Sequence, residues 1–272
     1  MPNFGITGNV HWTLDWRRDM TESWIHYLCH TLGRPLHEAQ LRAQQEISGS
    51  IAHNFCTQMM DAGVIFESKK ILEIGAGHGS LALALAERGG DVTAIEPCTA
   101  WRDIADARLR DTNIKGQLCF TDGDGQNLIH ADQSFDFVVS RQVLEHVANP
   151  QNALTEMVRV LKLGGAIYLS CENYLSFREP HYDIPWLPLL PKFFGSIYLR
   201  IRGRDPRFLM HHIHYTTFTQ LLWWCIKSNL WSNAWGSQLS DMPKPALFVR
   251  VLFRLRHQVF RPGFSYLLTR ID

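Results

Sequence analysis

The stretch ILEIGAGHGSLALALAERGGDVTAIEP, Ile71 to Pro97 of a 272-residue chain, decides the fold. It opens as a short apolar strand and breaks at Gly75, Gly77 and Gly79. It continues as an Ala/Leu-rich helix and closes on a second strand ending in Glu96. In an open parallel sheet, ligands bind beyond the carboxyl ends of the strands, where strand order reverses, and the turn after the first strand sits there. Glycines at that turn let the chain reverse sharply and let a ligand touch main chain with no Cβ in the way.

The glycine spacing argues against two phosphate-binding readings. A dinucleotide fingerprint, G-x-G-x-x-G, needs its third glycine where Ser80 stands, and a P-loop needs a Gly-Lys-Ser/Thr ending that is not present. The pattern is E-x-G-x-G-x-G. Glu73, inside the end of the first strand, repels phosphate and suits a cationic ligand group. Glu96 is placed to accept from both hydroxyls of a ribose, a role that serves a nicotinamide dinucleotide equally well.

Outward from this stretch, strands and helices alternate. Strands are expected at Lys70–Ile74, Asp91–Glu96, Gln117–Thr121, Phe135–Ser140 and Ala166–Cys171. Helices are expected at Ser80–Arg88, Thr99–Arg110 and Pro150–Leu161. Strands separated by helices of this length predict βαβ crossovers, hence a parallel sheet with helices on both faces. Upstream, residues 11–66 read as helical, with Leu36, Ala39, Ala43, Ile47 and Ile51 forming one apolar stripe. After Glu172 the alternation stops, and residues 173–213 form a Pro- and aromatic-rich insertion. Thr216–Asn229 returns to a helix with Thr216 or Thr217 as N-cap. Near the end, PALFVRVLFRLRHQVF reads either as a strand or as a basic amphipathic helix. The organisation expected is a helical extension (1–66), a nucleoside-binding core (67–172), an insertion (173–213) and the C-terminal part of the same domain (214–272).

Composition narrows the class. With 46% hydrophobic and 19% charged residues the chain can bury a sizeable core. A net charge of +1 gives no overall basic bias, so a nucleic-acid partner is not expected. Six scattered cysteines with no CxxC pair read as reduced thiols, and neither an apolar leader nor a spanning segment is evident, so a cytoplasmic location is expected. Nine tryptophans and fifteen phenylalanines concentrate outside the middle of the chain, which makes the ends candidate substrate- or membrane-facing material.

Four pieces in order resemble the class I S-adenosylmethionine-dependent methyltransferases, closely over about Lys70 to Asn173 and more loosely to about Leu230. They are LEIGAGHG, AIEP, DGDGQNLIHADQSFDFVVSRQVLEHV and EMVRVLKLGGAIYLSCEN. Ile129 and Leu163 stand where proline is usual in the family. The resemblance implies a doubly wound, mostly parallel, seven-stranded Rossmann-like sheet with N-terminal helices and a lid insertion after strand five. It also implies S-adenosyl-L-methionine as cofactor. Carried over by position, Gly75, Ala76 and Gly77 lie under its methionine and ribose parts, and Glu73 holds the amino end. Glu96, with Pro97 beside it, takes the ribose hydroxyls. Asp124 and Gly125 take the adenine, and Arg141 and Gln142 face the methionine part and the sulfonium.

Methyl transfer is an in-line displacement that needs alignment and exclusion of water, with a base only where the nucleophile carries a proton of high pKa. The acid–base candidates are His146, Glu172 and His181, with Glu145 and Asp183 beside them. His146 leads because it follows strand four and imidazole titrates near neutrality. In ubiquinone-type O-methyltransferases a similar LEHV stretch with a further acid is associated with a divalent ion. Here that position is Gln142, and Glu145 with His146 alone makes a poor site for a hard cation, so no metal is expected. The alternating histidines of HHIHY (His211, His212, His214) read as polar surface or a lid edge rather than a metal site. Tyr174, Phe177, Tyr182 and Trp186 are the expected walls of a substrate site. Residues 185–204, with Leu187, Leu189, Leu190, Phe193 and Phe194 beside Lys192, Arg200, Arg202 and Arg204, also read as a peripheral membrane contact. The expected activity is methylation of a small molecule, on oxygen, with a hydrophobic, lipid-quinone or sugar-containing acceptor. The alternatives are a nicotinamide-dependent enzyme and a non-catalytic binding module.

Overall fold

In a computed structural model, which describes residues 15–228, 230–233 and 263–270, the chain builds an α/β sandwich around one large sheet. The central strands are β1 (Lys70–Ile74), β2 (Asp91–Ile95), β3 (Gln117–Thr121), β4 (Phe135–Arg141) and β5 (Leu161–Glu172), all parallel where they pair. β8 (Leu230–Asn233) and β9 (Gly263–Arg270) complete the sheet, β9 running antiparallel to both β5 and β8. Among the described residues the sheet has seven strands in the order β3-β2-β1-β4-β5-β9-β8, the doubly wound arrangement expected. The stretch PALFVRVLFRLRHQVF lies outside the described residues.

The two faces of β1 and β4 explain the layers. Leu72, Ile74 and Val138 point to one face and pack with Leu154 and Met157 of α6 (Pro150–Val160) and Phe218 and Leu221 of α9 (Phe218–Lys227). Ile71, Phe137 and Val139 point to the other and pack with Leu81 and Leu85 of α4 (Ser80–Glu87) and Phe55 and Met59 of α3 (Ser50–Asp61). This is the period-two alternation of a strand buried on both sides. Glu73 shares the face of Ile71, so the pleat carries its carboxylate toward α3 and α4 and away from the α6 layer.

Local chemistry sets the helix ends. Asn149 caps α6 by accepting from Asn152 N (3.0 Å), with Pro150 in the first turn. Thr217 caps α9 in a reciprocal box with Gln220. Gly79 precedes α4 at φ +76°, and a Cβ there would sit 2.7 Å from Phe120 Cζ and 2.9 Å from Ala105 Cβ. Only glycine allows α5 (Thr99–Arg110) and β3 to approach the turn that closely.

Upstream of the sheet, α1 (Trp16–Ile25) runs into a π-helical stretch (His26–Thr31) and is followed by α2 (Leu36–Ile47) and α3. Along the expected apolar stripe Ala39 and Ala43 are buried, but Leu36 is exposed. Arg108 of α5 ties this helical layer to the glycine turn. It donates to His78 O (2.7 Å), Ser80 Oγ (2.8 Å) and Glu46 O (3.1 Å). The insertion after β5 forms a small hairpin, β6 (Arg178–Glu179) and β7 (Ile184–Pro185), then α7 (Lys192–Ile201) and α8 (Arg207–His212). Its Tyr182, Trp186, Leu199 and Phe208 share one buried cluster with Leu28 and Leu32 of the N-terminal layer. All six cysteines are free thiols.

Candidate active site

A cavity of about 910 Å³ opens at the carboxyl ends of β1 and β4, where the strand order reverses. Glu73, Gly75, Ala76, Gly77, Glu96, Arg141 and Gln142 line it, as do the acid–base candidates His146, Glu172 and His181. The sheet thus gathers these residues, spread over more than a hundred positions of sequence, at one end.

Glu96 is 1% exposed, and both its oxygens are held by main chain. Oε2 accepts from Gly77 N (2.9 Å) and Oε1 from Cys98 N (2.9 Å). Each carboxylate oxygen keeps a second lone pair, so the group is fixed in orientation and still able to accept. Gly77 lies at φ +56°, and the space its Cβ would fill is empty to 4 Å. Bare main chain beside an anchored acid lets a ligand reach both at once. His78, in the same turn, has its ring 5.1 Å from Trp101 and 5.9 Å from Trp24, and its Nε2 lies 2.9 Å from Ser23 Oγ. Burial holds the imidazole neutral, with a pKa of about 4.

Glu73 is 4% exposed, and its Oε2 has no hydrogen-bond partner. Burial, opposed by Arg141 and reinforced by Glu96 and Glu46, pushes its pKa up to about 8. An orphaned buried acid on a cavity wall awaits a cationic or donating ligand group. The native state therefore binds a proton that the unfolded chain releases between about pH 4.5 and pH 8, so this group's contribution to stability falls as pH rises through that window. Glu73→Gln is expected to raise the melting temperature of the ligand-free protein at pH 8.5 and to leave it nearly unchanged at pH 5. An equal shift at both pH values in thermal melts would refute this account of Glu73.

The far wall carries the titratable cluster. Gln142 sits at φ +58° at the end of β4, a left-handed conformation that costs a non-glycine residue about 1–3 kcal/mol. With its amide turned to donate, Gln142 Nε2 reaches Glu145 Oε1 (2.8 Å) and Glu172 Oε1 (2.6 Å). Burial raises both carboxyl pKa values, and their mutual repulsion adds to the rise at Glu145. His146 Nδ1 lies 2.9 Å from His212 O. A carbonyl only accepts, so Nδ1 carries the proton and Nε2 the lone pair. Burial, then the neighbouring His181, push this histidine down to a pKa of about 3.

His181 is held differently. Its Nδ1 lies 3.3 Å from the Tyr174 hydroxyl and at ion-pair distance, 3.4 Å, from Glu179 Oε1. The Tyr174 hydroxyl donates to that same Oε1 (3.1 Å), so its oxygen is left to accept from His181 Nδ1. The remaining Nε2 lone pair belongs to a side chain that lines the cavity. Burial favours neutral His181. The Glu179 hydrogen bond and the charges of Glu179, Glu172 and Glu145 outweigh it and raise the pKa. His146 is the leading base by sequence, but the structure makes it the weaker one, and the buried Glu179 that supports His181 carries no motif that marks it in the sequence.

Glu145, His146 and His181 bring one ligand atom each within 4.8 Å of one another, the only such group of three among the described residues. Two imidazoles and one carboxylate suit a borderline transition metal better than the hard cation the sequence argument weighed. His181 joins this group from the insertion, 35 positions beyond His146, a proximity that sequence spacing does not show. His211, His212 and His214 do not belong to the group.

Several expected residues take other places. Asp124 Oδ1 accepts from Gln126 N (2.8 Å) within its own turn, and a Cβ on Gly125 would meet Ile74 Cγ2 at 2.8 Å. Neither residue lines the cavity, nor does Pro97. The four aromatic residues expected to wall a substrate do not line it either. Tyr174, Tyr182 and Trp186 are buried in the cluster beneath the insertion, and Phe177 is exposed. Large aromatic surfaces gain most when fully buried, and the insertion uses them as its own core. From the insertion, Pro180 and His181 reach the cavity, whereas the N-terminal layer supplies Tyr27, Leu28, Arg42, Gln45, Asn54 and Phe55 among others. Amphipathic helices carry no signal telling a core-facing stripe from a cavity-facing one, which is why this wall was missed.

The comparisons with known proteins agree with this geometry. Residues 72–169 match the family described as a methyltransferase domain. The ubiquinone biosynthesis O-methyltransferase of Cereibacter sphaeroides is 31% identical over 144 residues, covering 53% of this chain and 57% of that protein. An uncharacterised Mycobacterium tuberculosis protein is 32% identical over 119 residues, 42% of this chain and 40% of its own length. The chain thus spans about half the length of the curated relatives it matches. Among solved structures, the magnesium protoporphyrin IX methyltransferase of Synechocystis, with bound SAH, superposes with a TM-score of 0.52 at 13% identity, covering 82% of this chain and 83% of that one. An S-adenosylmethionine-dependent methyltransferase from Mesorhizobium loti gives 0.52 at 15% identity, covering 76% and 93%. At such identities the structures speak for the fold, and the sequence match speaks for the family. Residues 72–169 thus carry a methyltransferase domain, and over that stretch the chain is similar to S-adenosylmethionine-dependent methyltransferases.

Proposed function

We propose that this chain transfers a methyl group from S-adenosylmethionine to an oxygen of a small, largely apolar molecule. The observation that carries the reading is the cradle at the β1–β4 junction, where anchored Glu96 and the unpartnered Oε2 of Glu73 flank bare main chain at Gly77. Bound there, the cofactor supplies an electrophilic methyl on a positive sulfur. Glu96 holds the ribose through its free lone pairs. Glu73 and Arg141 hold the amino-acid end, and the indoles of Trp101 and Trp24 flank the site with flat apolar surface. Ser80 stands where a dinucleotide fingerprint needs its third glycine, which disfavours the nicotinamide alternative.

His181 Nε2 is the base of this proposal. It takes the proton from the acceptor hydroxyl as the oxygen attacks, and Glu179 with Tyr174 keeps Nδ1 protonated so that Nε2 stays an acceptor. Leu28, Leu32 and Phe55 offer the acceptor apolar contact, while Gln45, Asn54 and Gln58 offer hydrogen bonds. A phenol or a similar hydroxylated, apolar compound fits that mixture, and the O-methyltransferase names of several relatives support the same reading. Calorimetric titration with S-adenosylmethionine, S-adenosylhomocysteine and NAD tests the first half. Micromolar binding of the first two and none of the third is the expected result, and no heat with either sulfur compound would sink it. A screen of phenols, catechols, amines and sugars for methyl uptake tests the second half, and binding without transfer to any of them would favour a non-catalytic module.

A further inference from the structure

The insertion that brings His181 to the cavity has a second, unpartnered face. On α7, Gly195, Ser196 and Leu199 point inward, and a Cβ on Gly195 would meet Trp186 Cη2 at 2.7 Å, so this side is packed tight. The opposite side carries Phe193 (66% exposed), Phe194 (57%), Ile197 (40%) and Ile201 (77%). These fall at positions i, i+1, i+4 and i+8, one continuous helical face. The two phenylalanine rings touch each other, with centroids 5.4 Å apart. Just before the helix, Leu187 (63%) and Leu189 (46%) are exposed as well. Single exposed apolar residues need no explanation, but six in one short segment mark a contact surface.

Charge says what kind of contact. From Ile184 to Arg204 there is no Asp or Glu, while Lys192, Arg200, Arg202 and Arg204 are cationic. Lys192 is turned back onto the carbonyls of Ile213 and Met210, and Arg204 donates to Leu32 O (3.4 Å). Arg200 and Arg202 remain exposed at the end of α7 beside Ile201. An apolar face bordered by arginines, with no acid in the segment, complements the apolar interior and anionic headgroups of a bilayer surface. No described helix is long and apolar enough to cross a membrane, so the contact is peripheral.

We infer that α7 and the Leu187–Leu189 turn dock the protein on the surface of an anionic lipid bilayer, with Phe193 and Phe194 in the acyl boundary and Arg200 and Arg202 at the headgroups. The inference does not depend on methyl transfer. It concerns the outer face of an insertion whose inner face packs on the cavity-lining Leu28 and Leu32.

Co-sedimentation of the full chain with vesicles tests it, using pure phosphatidylcholine and mixed phosphatidylcholine/phosphatidylglycerol. The expected result is stronger binding to the mixed vesicles, with partitioning lowered about tenfold or more by Phe193→Ser/Phe194→Ser. Arg200→Gln/Arg202→Gln is expected to remove the preference for anionic lipid while leaving residual binding. All four positions are exposed, so thermal melts and cofactor titration should match the parent protein. Absence of vesicle binding by the parent protein overturns the inference. So does a parent dimer, seen by sedimentation, that the phenylalanine variant splits, since the face would then be covered by a second copy.

Discussion

Replacing Glu96 with alanine is expected to weaken S-adenosylmethionine binding by at least about a hundredfold and to abolish turnover at ordinary cofactor concentrations. Two charge-assisted hydrogen bonds to ribose hydroxyls are worth about 1.5–3 kcal/mol each, so losing both exceeds the roughly 2.7 kcal/mol that a hundredfold represents. A second cost adds to the first. Glu96 also accepts from Gly77 N and Cys98 N, and removing it leaves two donors of the binding turn without their partner. The carboxylate therefore shapes the cradle as well as contacting what lies in it. Its pKa is raised by burial, with the two backbone hydrogen bonds and Arg102 opposing the rise. A ligand that donates to it stabilises the charged form further. Calorimetry on the variant, alongside its melting temperature, checks the prediction. A variant that melts normally and binds the cofactor with unchanged affinity would remove Glu96 from the site.

How much of this was readable beforehand differs by region. Strands β1 to β4 and helices α4, α5 and α6 fall within a residue or so of the expected limits, because the pattern there is local. Apolar runs of strand length alternate with helical spacing, and glycines mark the joins. β5 is the instructive miss, since it begins at Leu161, not Ala166, and so takes in the Gly164–Gly165 turn. The residues of the cradle were readable because each sits at a strand end, a place topology reserves for ligands. Across the cavity the reading failed for a physical reason. The walls there come from α1 to α3, and nothing local in a helical sequence such as AQLRAQQEI, residues 39–47, tells a residue facing a cavity from one facing a core. Tyr174, Tyr182 and Trp186 were misassigned by the converse error, aromatic residues taken for a binding wall when their bulk was filling the insertion's interior.

The second large effect is expected at His181. His181→Ala should lower kcat by about 10²- to 10⁴-fold, the usual worth of a positioned general base, with little change in cofactor affinity. Two features separate this from a structural role. A base must be neutral to accept a proton, so activity should rise with pH through the His181 pKa, which lies above the ordinary 6.5. Glu179→Gln tests the cause of that rise. Burial opposes protonation of His181, and Glu179 supplies the hydrogen bond and much of the charge that outweigh it. Removing the charge should move the acidic limb of the kcat profile to lower pH. It should also cost activity, since a glutamine holds the Tyr174–His181 relay less firmly, while KM for the acceptor stays near the parent value. On this proposal Glu179 is a positioning residue: its Oε1 acts through Tyr174 and His181, while its Oε2 accepts from Tyr182 N (2.6 Å) and fixes the turn that carries His181. The neighbouring His146 provides the internal comparison. Its pKa near 3 leaves it too weak a base at neutral pH, so His146→Ala should cost less than His181→Ala despite their ring centroids lying 5.2 Å apart. An acidic limb that stays in place in Glu179→Gln would refute the relay. Activity lost to a chelator and restored by a divalent ion would instead assign the Glu145, His146 and His181 donors to a metal.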